Sequence, residues 1–138
     1  MLLDEVGTYL AAQSASTPFN TTLTRGSNLW EGDLAPSPEA GVALFEYPGI
    51  APELTMGAET VRIEYPRLQV LVRHSVFATG RTLMEQIRAA LMRVGNESLS
   101  SVRYLTIAPL QSNPMAMPRD DNQAWRWTMN FEAMKEPS

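Results

Sequence analysis

PRLQVLVRHSVFATGRTLMEQIRAALMRV, residues 66–94, changes its hydrophobic period once, and that change decides the fold class. Leu68, Val70 and Val72 alternate with Gln69, Leu71 and Arg73, which places the two sets on opposite faces of a strand. Leu71 breaks the strict alternation, so both faces are expected to be covered. From Thr82 the repeat lengthens: Leu83, Ile87, Ala90, Leu91 and Val94 share one side of a helix, with Arg81, Glu85, Arg88 and Met92 on the other. Gly95-Asn96 then supplies a left-handed residue of the kind that ends helices. An amphipathic helix has to bury its stripe on another element, and the sheet holding the preceding strand is the nearest apolar surface.

Working outward, Val42 to Tyr47 and Ser101 to Leu110 read as further strands. Trp125 to Lys135 has the cleanest alternation, with Trp125, Trp127, Met129, Phe131 and Ala133 opposite Arg126, Thr128, Asn130 and Glu132. Leu29 to Glu31 is a candidate short strand. At the start, Leu2, Leu3, Val6, Tyr9 and Leu10 form a helical stripe over residues 1–13, and Gly7 weakens that helix by up to about 1 kcal/mol relative to Ala. Ser14 to Arg25 is a connector rich in Ser and Thr, with a possible extended piece at Thr21 to Thr24. Gly32 to Gly41 is turn-rich. Pro48-Gly49 is expected to stop the second strand, leaving residues 48–66, and Ile50 to Tyr65 above all, as a long loop with at most an edge strand. Residues 111–123 are expected to form a loop or protruding hairpin tip, because Pro114, Pro118 and the Asp and Asn residues favour turns. The expected architecture is a single α+β domain over residues 1–138. A mixed or mostly antiparallel sheet carries one amphipathic helix across it, beside an N-terminal helix.

Composition narrows the function. A hydrophobic fraction of 44% is enough for a packed core, and the net charge of −4 argues against free-standing affinity for nucleic acid or anionic membrane. The single Lys is Lys135. Cysteine is absent, which removes disulfides and thiolate chemistry. Asp4 and Glu5 stand where a signal peptide would be positive, and no apolar run approaches the roughly 20 residues of a transmembrane helix, so a cytoplasmic protein is expected.

No catalytic, cofactor or metal site is expected. His74 is the one His and stands at a strand end, where a structural role is the simplest reading. Asp120 and Asp121 are adjacent carboxylates in a turn-forming loop. Gly26, Gly32, Gly41, Gly49 and Gly57 form no phosphate-cradling motif. Arg62, Arg67, Arg73 and Arg103 are scattered over strands, where pairing with Glu is the usual fate. Trp125, Trp127 and Phe131 at a spacing of two mark a core face before a base-stacking platform.

In order along the chain stand Asn28-Leu29-Trp30-Glu31-Gly32, Glu46-Tyr47-Pro48-Gly49, the P-x-x-Q-V-x-V-R strand from Pro66 to Arg73, Arg119-Asp120-Asp121, and Asn130-Phe131. This order resembles the tail terminator or minor capsid proteins of long-tailed, siphovirus-type bacteriophages. The resemblance implies a small structural virion subunit in the tail or neck. Its copies would form a homohexameric ring that caps the tail tube, ends tube polymerisation and joins the tail to the head connector protein. Genomic DNA would only pass through the lumen, no membrane would be involved, and assembly would take place in the host cytoplasm. Exposed apolar and loop residues are then the interface candidates: Leu54, Met56, Met115, Met117, Arg119, Asp120 and Asp121. Two rival readings are a neighbouring neck component, such as a head-closure or tail-completion protein, and a small enzyme whose site pairs His74 of one copy with Asp120 or Asp121 of another.

Overall fold

The computed structural model describes residues 2–16, 19, 21–32, 40–54, 61–118 and 124–136, with backbone alone at 48–54, 61 and 62. The elements in chain order are α1 (Leu2–Ser16), β1 (Leu29–Glu31), β2 (Gly41–Leu54), β3 (Val61–His74), α2 (Phe77–Met92), β4 (Gly95–Leu99), β5 (Val102–Pro109), β6 (Met115–Met117) and β7 (Trp125–Lys135). They make an α+β domain. Its seven-stranded sheet runs β1-β2-β3-β7-β5-β4, with β6 also paired to β7. β1 is parallel to β2, and every other described pairing between named strands is antiparallel.

At the centre, period-two patterns on β3 and β7 meet in register: Leu68 opposite Phe131, Val70 opposite Met129, and Val72 opposite Trp127. All six are buried. They form one apolar face, and α2 covers it with Leu83, Met84, Ile87, Ala90 and Leu91. α1 adds Leu2, Leu3, Val6 and Leu10 to the same core and packs on β1, β2, β4 and α2. The Tyr9 hydroxyl ties the two helices by donating to the Ala90 carbonyl at 2.7 Å. Across the opposite face run Arg67, Gln69, Leu71 and Arg73 beside Glu132, Asn130, Thr128 and Arg126. Arg67 and Glu132 make a cross-strand ion pair there at 3.2 Å. Among the described residues no helix covers this face.

Gly7 answers the expectation that it weakens α1. A Cβ built on it would stand 2.1 Å from a Glu31 carboxylate oxygen, so a side chain at this position would require Glu31 to shift.

Several boundaries differ from the sequence reading. Pro48-Gly49 does not stop β2, and residues 48–66 are not a long loop: β2 continues to Leu54 and β3 already begins at Val61. The proline is tolerated because β1 reaches only Val42 to Leu44, and the β2–β3 register shifts between Tyr47 and Ile50. Pro66 sits at the matching irregularity, between Tyr65 and Arg67. α2 begins at Phe77, ahead of the apolar stripe that starts at Leu83, and ends at Met92. Asn96 is left-handed with φ 52°, yet it lies inside β4, a strand the sequence reading lacked. β5 matches Val102 to Pro109, and its period slips at a shift between Tyr104 and Thr106, so Tyr104 and Ile107 are both buried. Residues 111–123 are not wholly loop, since Met115 to Met117 pair with Thr128 to Arg126 of β7.

Phe131 is fully buried at the centre of the β3–β7 ladder. Phe131→Ala should therefore lower the free energy of chemical unfolding by roughly 3–5 kcal/mol.

Candidate assembly surfaces

The most buried charges among the described residues are used to fix α1 to the sheet. Lys135, the single lysine, continues the apolar face of β7 to its end, where it is 2% exposed. Glu5 of α1 is 3% exposed and accepts hydrogen bonds from the Lys135 ammonium at 3.0 Å and the Tyr104 hydroxyl at 2.7 Å. The ammonium also lies 5.4 Å from the Tyr104 ring centroid. Burial alone would raise the Glu5 pKa. The hydrogen bonds donated to its carboxylate, from Tyr104 and Lys135 among others, and the Lys135 charge together hold it at about 2. Tyr104 is pushed above its ordinary value, first by burial and then by Glu5. The group is fully engaged internally and is structural.

His74 closes β3. Its Nδ1 accepts a hydrogen bond from the Val76 backbone N–H at 2.9 Å, which fixes the turn into α2, and burial lowers its pKa. That nitrogen therefore serves a local turn. Asp120 and Asp121, its partners in the enzyme reading, lie outside the described residues, as do Met56 and Arg119. The remaining interface candidates are separated along the fold. Leu54 ends β2, whereas Met115 and Met117 stand on β6 beside β7. Met115 is 57% exposed, which leaves it free for a contact.

The arginines do not gather into a phosphate-binding face. Arg67 pairs with Glu132, Arg103 bonds Asn96 and Glu136, and Arg73 is buried over the Trp30 ring at 5.9 Å. An open cleft of about 460 Å³ is lined by Arg25, Gly26, Leu29, Trp30 and Glu31. Its cation is already satisfied, because Arg25 donates to Glu31, Asp4 and Thr8. Among the described residues no group of three or more His, Asp or Glu could hold a metal ion. No described helix is long and apolar enough to cross a membrane.

One surface escaped the sequence reading. Val76 and Phe77, in the turn into α2, are 52% and 43% exposed. Phe77 meets Trp125 edge-on at 4.9 Å and leans on Trp127 at 4.7 Å, while Arg81 lies 5.8 Å from the Trp127 centroid. The available signal was local. Two apolar residues stand off the helical stripe, next to a strand that opens with two tryptophans.

Residues 32–137 match the family described as bacteriophage tail terminator protein. The chain belongs to that family. This tail terminator family member is accordingly a structural protein of the phage tail or neck. A chain in the solved virion of a native gene transfer agent particle shares its fold. The TM-score is 0.63 at 18% identity, over 99% of this chain and 95% of that one. Among curated protein sequences nothing matches.

The internal charges of this family member set its response to pH. Glu5 is held at about 2 against an ordinary 4.5, so its stabilisation is present above the ordinary value and is lost as pH falls between them. Glu5→Gln should remove that acid-dependent part of the unfolding free energy. It would also strand Lys135, at a cost of roughly 3–5 kcal/mol near neutrality, measurable by urea titration. The His74 pKa is lowered in the folded state, so the unfolded chain binds its proton more readily and stability declines as pH falls below 6.5. His74→Gln should flatten the slope of stability between about pH 7 and pH 5.

Proposed function

We propose that copies of this chain close into a homohexameric ring that caps the tail tube, ends its polymerisation and joins it to the head connector protein. The family match over residues 32–137 carries this reading. The physical form of the subunit supports it. A sheet-and-helix body, braced by the buried Glu5–Lys135 pair, leaves Met115 on β6 and Phe77 at the start of α2 exposed, both beside the Trp125–Thr128 end of β7. A closed ring uses two different patches on each copy, one meeting the other on its neighbour, and this apolar end is a candidate for one of them. Leu54, Met56, Met115, Met117, Arg119, Asp120 and Asp121 are the proposed contacts with neighbouring copies, the tube protein and the connector. The subunit would assemble in the host cytoplasm and remain in the virion, with DNA only passing through the lumen and with no membrane contact.

Purified protein added to growing tail-tube subunits should fix tube length and make the tube ends competent to join heads, as seen by electron microscopy. Tubes of unaltered length that nonetheless join heads would make the chain a neighbouring neck component. Tubes unaltered in both length and joining would overturn the proposal.

A further inference from the structure

α2 starts without a side-chain cap. Val76 stands at the N-cap in extended conformation, makes no side-chain bond to the first turn, and that turn contains no acidic residue. The Val76 N–H is taken by His74 Nδ1. The next two donors, the N–H groups of Phe77 and Ala78, have no carbonyl to meet within the helix, and the positive end of the helix dipole lies with them. Val76, Phe77 and Ala78 are all exposed. By itself such a helix mouth would simply be hydrated.

A donor beside it is shut off from water. Trp127 is 3% exposed, and its buried indole N–H has no hydrogen-bond partner. Gly80 locates that group. In a helix the Cα–Cβ bond leans towards the N-terminus, and a Cβ built on Gly80 would meet His74 Cβ at 3.0 Å and Trp127 Nε1 at 3.3 Å. The indole N–H therefore lies on the mouth side of the first turn. The Phe77 ring, 4.7 Å from the Trp127 ring and itself 43% exposed, is the surface group packed against it. Arg81, exposed and 5.8 Å from the Trp127 centroid, makes no ion pair among the described residues. Backbone donors, an indole N–H without an acceptor and a cation without a carboxylate thus lie together. Residues 73–84 and 124–131 contain no acid to answer them.

An oxyanion answers all three, since it accepts several hydrogen bonds and carries the opposite charge. The rim favours one carried on a protein. Val76, Phe77 and Trp125 are apolar and surround a single unpaired arginine, whereas binding DNA phosphates takes a row of cations. We propose that the mouth of α2 receives the carboxylate of an Asp or Glu side chain from a neighbouring protein, the Phe77 ring turning aside to admit it to the Trp127 N–H. Arg81 pairs with its charge. That the neighbour belongs to the tail or neck rests on the assembly reading above, while the carboxylate site stands apart from it.

The intact protein carries the test. Trp30, Trp125 and Trp127 give three indole signals in a proton–nitrogen spectrum, assigned by replacing each in turn with Phe. Acetate at constant ionic strength should move the Trp127 signal saturably, and Arg81→Gln should weaken that binding by at least about fivefold. Val76→Asp supplies a capping carboxylate from within the chain. It should raise the midpoint of urea unfolding, abolish the acetate response and lose control of tube length, a combination that a folding defect would not produce. A Trp127 signal that ignores acetate, or responds equally in Val76→Asp, would overturn the site and leave the ring standing. A short DNA duplex that moves the signal at lower concentration than acetate would overturn the assignment to a protein carboxylate. A response that appears only after Asp120→Asn and Asp121→Asn are combined would make this chain the source of its own carboxylate and overturn the neighbour. Tube length still controlled by Val76→Asp would do the same. Wild-type protein that leaves tube length and head joining unaltered would instead overturn the assembly reading, with the carboxylate site intact.

Discussion

The antiparallel ladder between β3 and β7 is the constraint on which the other elements depend. It runs from His74 opposite Trp125 to Glu64 opposite Lys135, and it joins residues from the middle and the end of the chain. Because side chains alternate, a slip of one residue would send Leu68, Val70 and Val72 to the uncovered face and bring Arg67 and Arg73 under α2. The lost burial of those three apolar side chains under α2, with Arg67 put in their place, fixes the register. With the register fixed, Lys135 can fall in only one place. It ends the apolar face, and Glu5 of α1 has to meet it there.

That meeting explains a composition that is otherwise odd. A lone lysine buried at 2% exposure is tolerated because carboxylate, ammonium and phenol satisfy one another, and such a group is more a device for choosing one arrangement than a source of net stability. It specifies where α1 docks. An apolar stripe alone would let a helix slide along the sheet, whereas Glu5 has one position from which it reaches both Tyr104 and Lys135. Gly7, two residues on, completes the placement through its close approach to Glu31 of β1.

Sequence patterning revealed the elements whose burial follows a simple period: β3, β7, most of α2, α1, and the short β1. It failed where a residue's usual meaning was reversed by its surroundings. Pro48 and Pro66 read as strand breakers, but each lies at an irregularity of the β2–β3 ladder, where a missing N–H costs no regular bond. β4 was hidden because its hairpin to β5 turns on Ser100-Ser101, with φ 50° and 70°, and not on the Asn-Gly or Asp-Gly pairs that announce such turns. The exposed Val76–Phe77 pair was passed over for a related reason. It lies between two clear patterns and belongs to neither. Of the residues expected at an interface, Met115 was legible as an exposed apolar group in a polar stretch, while its place on a strand beside β7 was not.

The distribution of order in the fold has a consequence for assembly. The body is over-determined: its central ladder, its helix stripe and its buried ion pair all demand the same arrangement. The β2–β3 ribbon beyond Glu64 has no such redundancy, being held by one ladder that changes register between Tyr47 and Ile50, between Ile50 and Glu53, and again before Leu54. Bulged two-stranded ribbons twist and bend more easily than sheets do. A rigid body sets the angle between neighbours in a ring, and that angle has to be reproduced at every interface for the ring to close. In the proposed ring, a pliant ribbon would take up residual mismatch without disturbing the body. Stiffness in the core and weakness in the ribbon are thus complementary requirements of a closed assembly.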